Sequence, residues 1–295
     1  MRFANLDGRA AVVVAGASGD LAVDVAEASG GRFPADPQAV FAHWRAFREW
    51  AAWSLDPARG RPFAPEDLGP PVPRPAQVFA IGVNYAAHAS EAGYPPETAP
   101  VTFTKFPSCL AGPVCEVELP SATVDWEVEM VVAVARECGD VHPVDAWDYV
   151  AGITLGQDLS ERTSQLAGSK PQFSLAKSFR NFGPTGPWLA TPDELDDPCD
   201  LAISCSLSGE TVQSARTSAM VYSVPELLVR LSRVCRLLPG DLVFTGTPAG
   251  VGNARTPKRF IQPGDVLVSE LEGVGSITQR FVAGPARAGL PPAER

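Results

Sequence analysis

Asp125, Glu127 and Glu129 alternate with Trp126 and Val128 and lead straight into the apolar run Met130-Val131-Val132. On an extended strand alternate side chains share a face, so the three carboxylates are expected to stand together. Like charges at the entrance to a buried stretch repel one another and cost stability unless a cation neutralises them. A solvated edge-strand face is the competing reading, and Glu270-Leu271-Glu272 offers the same spacing with no obvious partner. Oxygen donors suit magnesium or manganese, with calcium a third candidate, better than zinc. Asp158 follows the apolar run Val150–Leu155 and is the expected ligand from a second segment, because functional groups collect at element ends; a turn or helix-cap role is the alternative.

The segment from Ile81 to Glu91 ends an apolar run, turns, and then sets His88 and Glu91 three residues apart. On a helix the two are neighbours. A carboxylate beside an imidazole fixes its tautomer and raises its basicity, which suits a general base; an exposed surface pair is the bland alternative. Lys177 lies among apolar residues, where an ammonium needs an anionic partner. Gly240–Gly252, which contains Thr247, reads as a strand feeding a loop of small residues whose backbone amides can cradle an anion. It lacks the Gly-Lys-Ser/Thr ending of a phosphate loop.

These residues need elements to hold them. Short apolar runs divided by Gly and Pro read as strands at Val78–Gly82, Met130–Ala135, Leu201–Leu207, Leu242–Gly246, Val266–Leu271 and Ile277–Val282. Ser208-Gly209 marks a hairpin turn. Helices are predicted over Pro143–Ile153 and over Ser223–Leu238, the latter opened by the capping-box pair Ser223 and Glu226. Nearer the start, Ala10–Ala15 and Leu21–Val25 look like strands. Asp36 and Pro37 open a helix whose apolar face is Val40, Phe41, Trp44, Phe47 and Ala51. The stiff stretch Gly69–Pro75 reads as a linker, dividing a small N-terminal α/β unit, residues 1–72, from a large unit, residues 73–295. Strands outnumber helices there without βαβ alternation, so a β-rich α+β fold is expected.

With 295 residues, 45% hydrophobic and 20% charged, the chain has globular composition. Its formal charge of -10 disfavours nucleic acid and anionic membranes as partners, and an anionic substrate would need a locally positive site. No export signal or membrane span is visible, and six cysteines lack any Cys-x-x-Cys pair. The expectation is a cytoplasmic protein with reduced thiols serving as small apolar residues.

Five ordered segments carry a resemblance: Gly82-x-Asn84-Tyr85-x-x-His88-x-x-Glu91, Phe103-x-Lys105-Phe106-Pro107-Ser108, Asp125-x-Glu127-x-Glu129, Gly183-Pro184-x-Gly186-Pro187-Trp188, and Gly240 to Gly252. Together, over roughly Val78–Val282, they resemble the fumarylacetoacetate hydrolase family. The resemblance implies a mixed β-sandwich or roll for the large unit, a homodimer, and a small anionic 2-oxo acid as substrate. It implies that Glu127, Glu129 and Asp158 bind Mg2+ or Mn2+, and that His88 and Glu91 form the acid–base pair on a segment that closes over the ligand. Tyr85, Arg162, Gln165, Lys177 and Thr247 are implied substrate contacts, with Lys177 also catalytic; Asp125 has no implied role. The implied reaction is hydrolytic carbon–carbon cleavage of a 2,4-dioxo acid through a metal-stabilised enolate. Alternatives are isomerisation of an unsaturated 2-oxo dioic acid, decarboxylation of oxaloacetate, or a non-catalytic binding role. Gln157, Thr163 and Phe173 depart from the family's commoner Asn, Asp and Trp, which points to a reshaped pocket.

Overall fold

In the computed structural model, residues 1–17, 19–95 and 99–285 are described; 286–295, the end of the expected large unit, lie outside them. Strands β1 (Arg2–Leu6), β2 (Arg9–Gly16) and β3 (Gly19–Asp24) form a meander. Asp7 and Gly8, at φ 50° and 79°, make the two-residue turn between the first two, a conformation that Asp-Gly tolerates and most residues do not. Val25 does not extend the third strand, because the Asp24 carboxylate accepts the Glu27 amide and starts a helical turn over Val25–Ala28. Asp36 caps its helical segment as expected, accepting from the Gln38 amide, and the chain continues into helix α1 (Trp44–Ser54). The Phe3 ring meets Phe41, Trp44 and Phe47 edge-on at centroid distances of 5.8, 5.3 and 5.6 Å, which seats this helical segment on the strands.

After the proline-rich stretch come β4 (Val78–Gly82), helix α2 (Ala86–Glu91), β5 (Val101–Thr104), β6 (Val114–Leu119), β7 (Val128–Val134), β8 (Val150–Gln157), β9 (Gly183–Ala190), β10 (Ala202–Leu207), β11 (Glu210–Arg216), helix α3 (Val224–Ser232), β12 (Leu242–Phe244), β13 (Val266–Leu271) and β14 (Gly275–Ala283). One sheet runs β3-β2-β1-β9-β8-β7-β12-β4-β5 and a second runs β11-β10-β13-β14-β6. The sheets are mixed, since β12 pairs parallel with β4 and β14 parallel with β6. The first strand pairs antiparallel with β9, Arg2 opposite Ala190, so the ladder continues across the proline-rich stretch.

Between the two sheets Val128, Met130 and Val132 pack with Ile203, Leu207, Leu267 and Ile277 in one buried cluster. The opposite face of β7 places Val131 and Ala133 in a second cluster with Phe3, Trp44, Leu242 and Phe244. A strand covered on both faces reads as a continuous apolar run, as this one does after Glu129. The architecture is the expected β-rich α+β fold. Two expectations fail locally. Pro143–Tyr149 is a run of 3-10 turns and Val150–Gln157 is strand, because all eight residues of β8 are buried and all but Ala151 pair with β7, outweighing a helical spacing. Helix α3 has its capping box but ends at Ser232, six residues before the expected Leu238. No helix among the described residues is long and apolar enough to cross a membrane.

Candidate metal centre and active site

Glu129 lies in β7, Glu127 just before it, and Asp158 just after β8. The pairing of Val128 with Gln157 sets the two ends side by side, and the Asp158 amide donates to the Glu127 carbonyl at 2.8 Å. One carboxylate oxygen from each of Glu127, Glu129 and Asp158 lies within 4.8 Å of the others, and all three residues are buried. Gln157 keeps this corner in place: its Oε1 accepts from the Glu127 amide at 2.9 Å and its Nε2 donates to Ser269 Oγ at 2.8 Å, joining the site to the second sheet.

Burial alone would neutralise such acids, but the chain brings cations to them. Lys177 Nζ lies 2.7 Å from Glu127 Oε2 and 2.6 Å from Asp158 Oδ2. Lys105 Nζ lies 2.7 Å from Asp158 Oδ1 and also donates to the carbonyls of Lys177 and Phe182. Arg162 Nη2 lies 2.8 Å from Glu127 Oε1 and 2.7 Å from Asp125 Oδ2, while Nη1 donates to Gln165 Oε1 at 2.7 Å. Desolvation pushes Glu127 upward, yet Lys177, Arg162 and His88 outweigh it and hold the carboxyl at about 2. Burial works against the Lys177 ammonium, and Asp158 and Glu127 more than restore it, so it titrates above the usual lysine range.

Glu129 is the exception. Desolvation, then the charges of Asp158 and Glu127, raise its carboxyl well above the usual range. Among the described residues its one hydrogen-bond donor is the Gly246 amide, at 2.8 Å. The buried acids Asp125, Glu127, Glu129 and Asp158 thus exceed Lys105, Arg162 and Lys177 by one, and the surplus rests on the acid with the fewest donors. A small hard cation beside three converging carboxylates satisfies that surplus, and the all-oxygen donor set fits magnesium or manganese.

The acid–base candidates stand across the same cavity. Helix α2 brings His88 Nδ1 to 2.8 Å from Glu91 Oε1. Both Glu91 oxygens also accept from the Gly250 amide, at 3.0 and 2.9 Å, so the carboxylate is fixed from two sides. A cavity of about 420 Å³ has His88, Glu91, Glu127, Arg162, Gln165, Lys177 and Thr247 in its wall. Phe103 and Phe173, edge to face with centroids 5.4 Å apart, line it too. Thr247 follows Gly246, whose φ of 106° and close approach to Asn84 Cβ, 2.7 Å from where a Cβ would stand, demand glycine. Tyr85 stands apart from the wall, 2% exposed, and its hydroxyl has no hydrogen-bond partner among the described residues. Burial first, then Glu129, pushes that phenol upward.

Sequence reasoning assigned no role to Lys105, Gln213 or Asp125. Lys105 was visible only as part of the Phe103–Ser108 segment, because its partners are about fifty to eighty residues away. Gln213 joins β11 to the site, accepting from the Val128 amide and donating to Thr247 Oγ1 at 2.7 Å, and no local pattern marks it.

The model of the fumarylacetoacetate (FAA) hydrolase C-terminal family matches residues 77–282. The mitochondrial oxaloacetate tautomerase FAHD2A of Bos taurus is 40% identical over 214 residues, covering 72% of this chain and 68% of that protein. A solved structure from Mycobacterium smegmatis, provisionally named as an HpcE protein, is 50% identical with a TM-score of 0.90, covering 97% of this chain and 100% of that one. The fumarylpyruvate hydrolase of Pseudomonas aeruginosa, solved with Mn2+ and pyruvate, is 31% identical with a TM-score of 0.65, covering 70% of this chain and 89% of that one. With its buried triad, its opposed His–Glu pair and these likenesses, the chain belongs to the fumarylacetoacetate hydrolase family.

Proposed function

We propose that this chain is a divalent-metal-dependent enzyme that cleaves a carbon–carbon bond in a small 2,4-dioxo acid by hydrolysis. The observation that carries the reading is one cavity that meets a buried acidic triad through Glu127 and has, in its wall, an imidazole with one nitrogen tied to a carboxylate. Glu127, Glu129 and Asp158 would hold Mg2+ or Mn2+, which when bound supplies Lewis-acid stabilisation of an enolate. Arg162, Gln165 and Thr247 would bind the carboxylate end of the substrate, giving a chain of net charge -10 the local positive site that an anion needs.

His88, with Nδ1 held by Glu91, takes a proton from water through Nε2. The water oxygen adds to the distal carbonyl, and Lys177 offers positive charge to the oxygen that becomes negative. The bond between carbons 3 and 4 then breaks with its electron pair moving to carbon 3. Return of the His88 proton to that carbon yields pyruvate and a carboxylic acid.

A second reading is tautomerisation of a 2-oxo dioic acid. Its support is the name of the mammalian relative, and it asks His88 only to move a proton between carbon and oxygen. The test is a panel of acylpyruvates, fumarylpyruvate and oxaloacetate incubated with purified protein and Mn2+, with products identified by mass. Pyruvate plus an acid is the expected result. A mass-neutral enol–keto change with no cleavage overturns hydrolysis in favour of tautomerisation, and pyruvate with carbon dioxide moves the reaction to decarboxylation.

A further inference from the structure

Asp125 lies two residues before Glu127 and is 0% exposed, yet it is not one of the three converging carboxylates and reaches Glu127 only through the shared Arg162 guanidinium. Both of its oxygens are fully used. Oδ1 accepts from the amides of Trp126 at 2.9 Å and Gly252 at 2.7 Å. Oδ2 accepts from the Asn253 amide at 2.9 Å and from Arg162 Nε at 2.8 Å, with Arg162 Nη2 at 2.7 Å. Asn253 and Arg162 are both in the cavity wall. The loop that Asp125 grips is the one that fixes the acid–base pair: Gly250, two residues earlier, donates to both oxygens of Glu91. The fit admits no slack, since a Cβ on Gly252 would stand 1.9 Å from the Arg259 carbonyl and 2.8 Å from Asp125 Oδ1. Trp126 Nε1 adds a contact to the Gly250 carbonyl at 3.2 Å.

We infer that Asp125 is a positioning residue that joins the anion-binding arginine to the seat of the acid–base pair, so that one buried carboxylate sets both Arg162 and the Gly250–Asn253 loop. The inference rests on the proposed function. A buried guanidinium holds its direction only while its anionic partners are complete, and Arg162 donates to Asp125 and Gln165 while forming an ion pair with Glu127. Without the Asp125 charge the guanidinium turns toward Glu127 and away from a bound carboxylate. Loss of the two loop contacts also frees the amide that anchors Glu91. The metal ligands themselves stay in place, so substrate handling and metal binding come apart.

The experiment compares wild type, Asp125→Asn, Arg162→Lys and the double variant. Mn2+ affinity is read by electron paramagnetic resonance, pyruvate binding to the Mn2+-loaded protein by calorimetry, and turnover on the best substrate of the panel. Asp125→Asn is expected to keep Mn2+ affinity within about threefold, weaken pyruvate binding about tenfold, and lower kcat/KM about 100-fold. Because pyruvate binding reads the Arg162 arm alone, the double variant is expected to lose no more than about twofold in pyruvate affinity beyond Arg162→Lys, whereas a merely structural Asp125 gives multiplying losses. Multiplying losses, or unchanged pyruvate binding in Asp125→Asn, overturn the inference and leave the functional reading intact. A wild type that binds neither Mn2+ nor pyruvate overturns both. Asp125→Ser, which removes the charge with a smaller side chain, enters the same cycle if the Asn variant does not fold.

Discussion

The three ligand candidates are not equivalent. Glu127 and Asp158 are paired with ammonium and guanidinium groups, while Glu129 has one backbone donor and no cationic partner of its own among the described residues. With metal chelated, Glu129→Gln is expected to raise stability near neutral pH, read as a higher Tm by calorimetry. The sign follows from proton binding: the folded chain retains the Glu129 proton above the ordinary glutamate pKa and the unfolded chain does not, so wild-type stability falls as pH rises through that range. The variant lacks this fall. With Mn2+ present the order reverses, since wild type gains about 2.7 kcal/mol at one hundred times its Kd and the variant binds poorly. A variant no more stable than wild type in chelator would contradict the charge count. His88→Ala is expected to keep Mn2+ affinity within about twofold and lose about 10²–10⁴ in kcat, and hydrolysis at the wild-type rate would defeat the mechanism. The triad and the His88–Glu91 pair were legible because their members sit two or three residues apart or at an element end. Lys105 and Asp125 were not, since their roles are defined by partners that folding brings from afar.

At the scale of elements, legibility followed burial. Runs bounded by Gly and Pro were found as strands, and the Ser223–Glu226 box was found as a helix start. Val150–Ile153 was taken into a helix because a fully buried run carries no alternation to separate strand from helix. The first strand, Arg2–Leu6, went unread since only its neighbours on either side, β2 and β9, make it one. The loop after β12 permits a sharper test. Gly246→Ala sets a Cβ against Asn84 in a backbone conformation that L-residues rarely adopt. A loss of about 1–3 kcal/mol in urea unfolding is expected, together with weaker metal binding, because the same residue's amide holds Glu129. Unchanged metal affinity would show that the Gly246 amide does not orient that carboxylate.

For the molecule as a whole, the proposed division at the proline-rich stretch separates two segments of chain but not two sets of hydrogen bonds. The ladder passes from β1 into β9, and Phe3 and Leu189 lie in one buried cluster. Deleting residues 1–72 should therefore expose the β9 edge and an apolar face together, and the remainder is expected to aggregate rather than fold with wild-type Tm. A soluble, metal-binding fragment 73–295 would instead establish an independent unit. The burial of β7 on both faces carries a consequence of another kind. A strand wedged between two packed layers tolerates little change, whereas Tyr94, Phe173 and Lys258 in the cavity wall belong to neither buried cluster. Evolvability is thereby concentrated in a rim of replaceable parts above a fixed chemical engine, and a combinatorial library at those three positions should yield new substrate ranges far more often than loss of the fold.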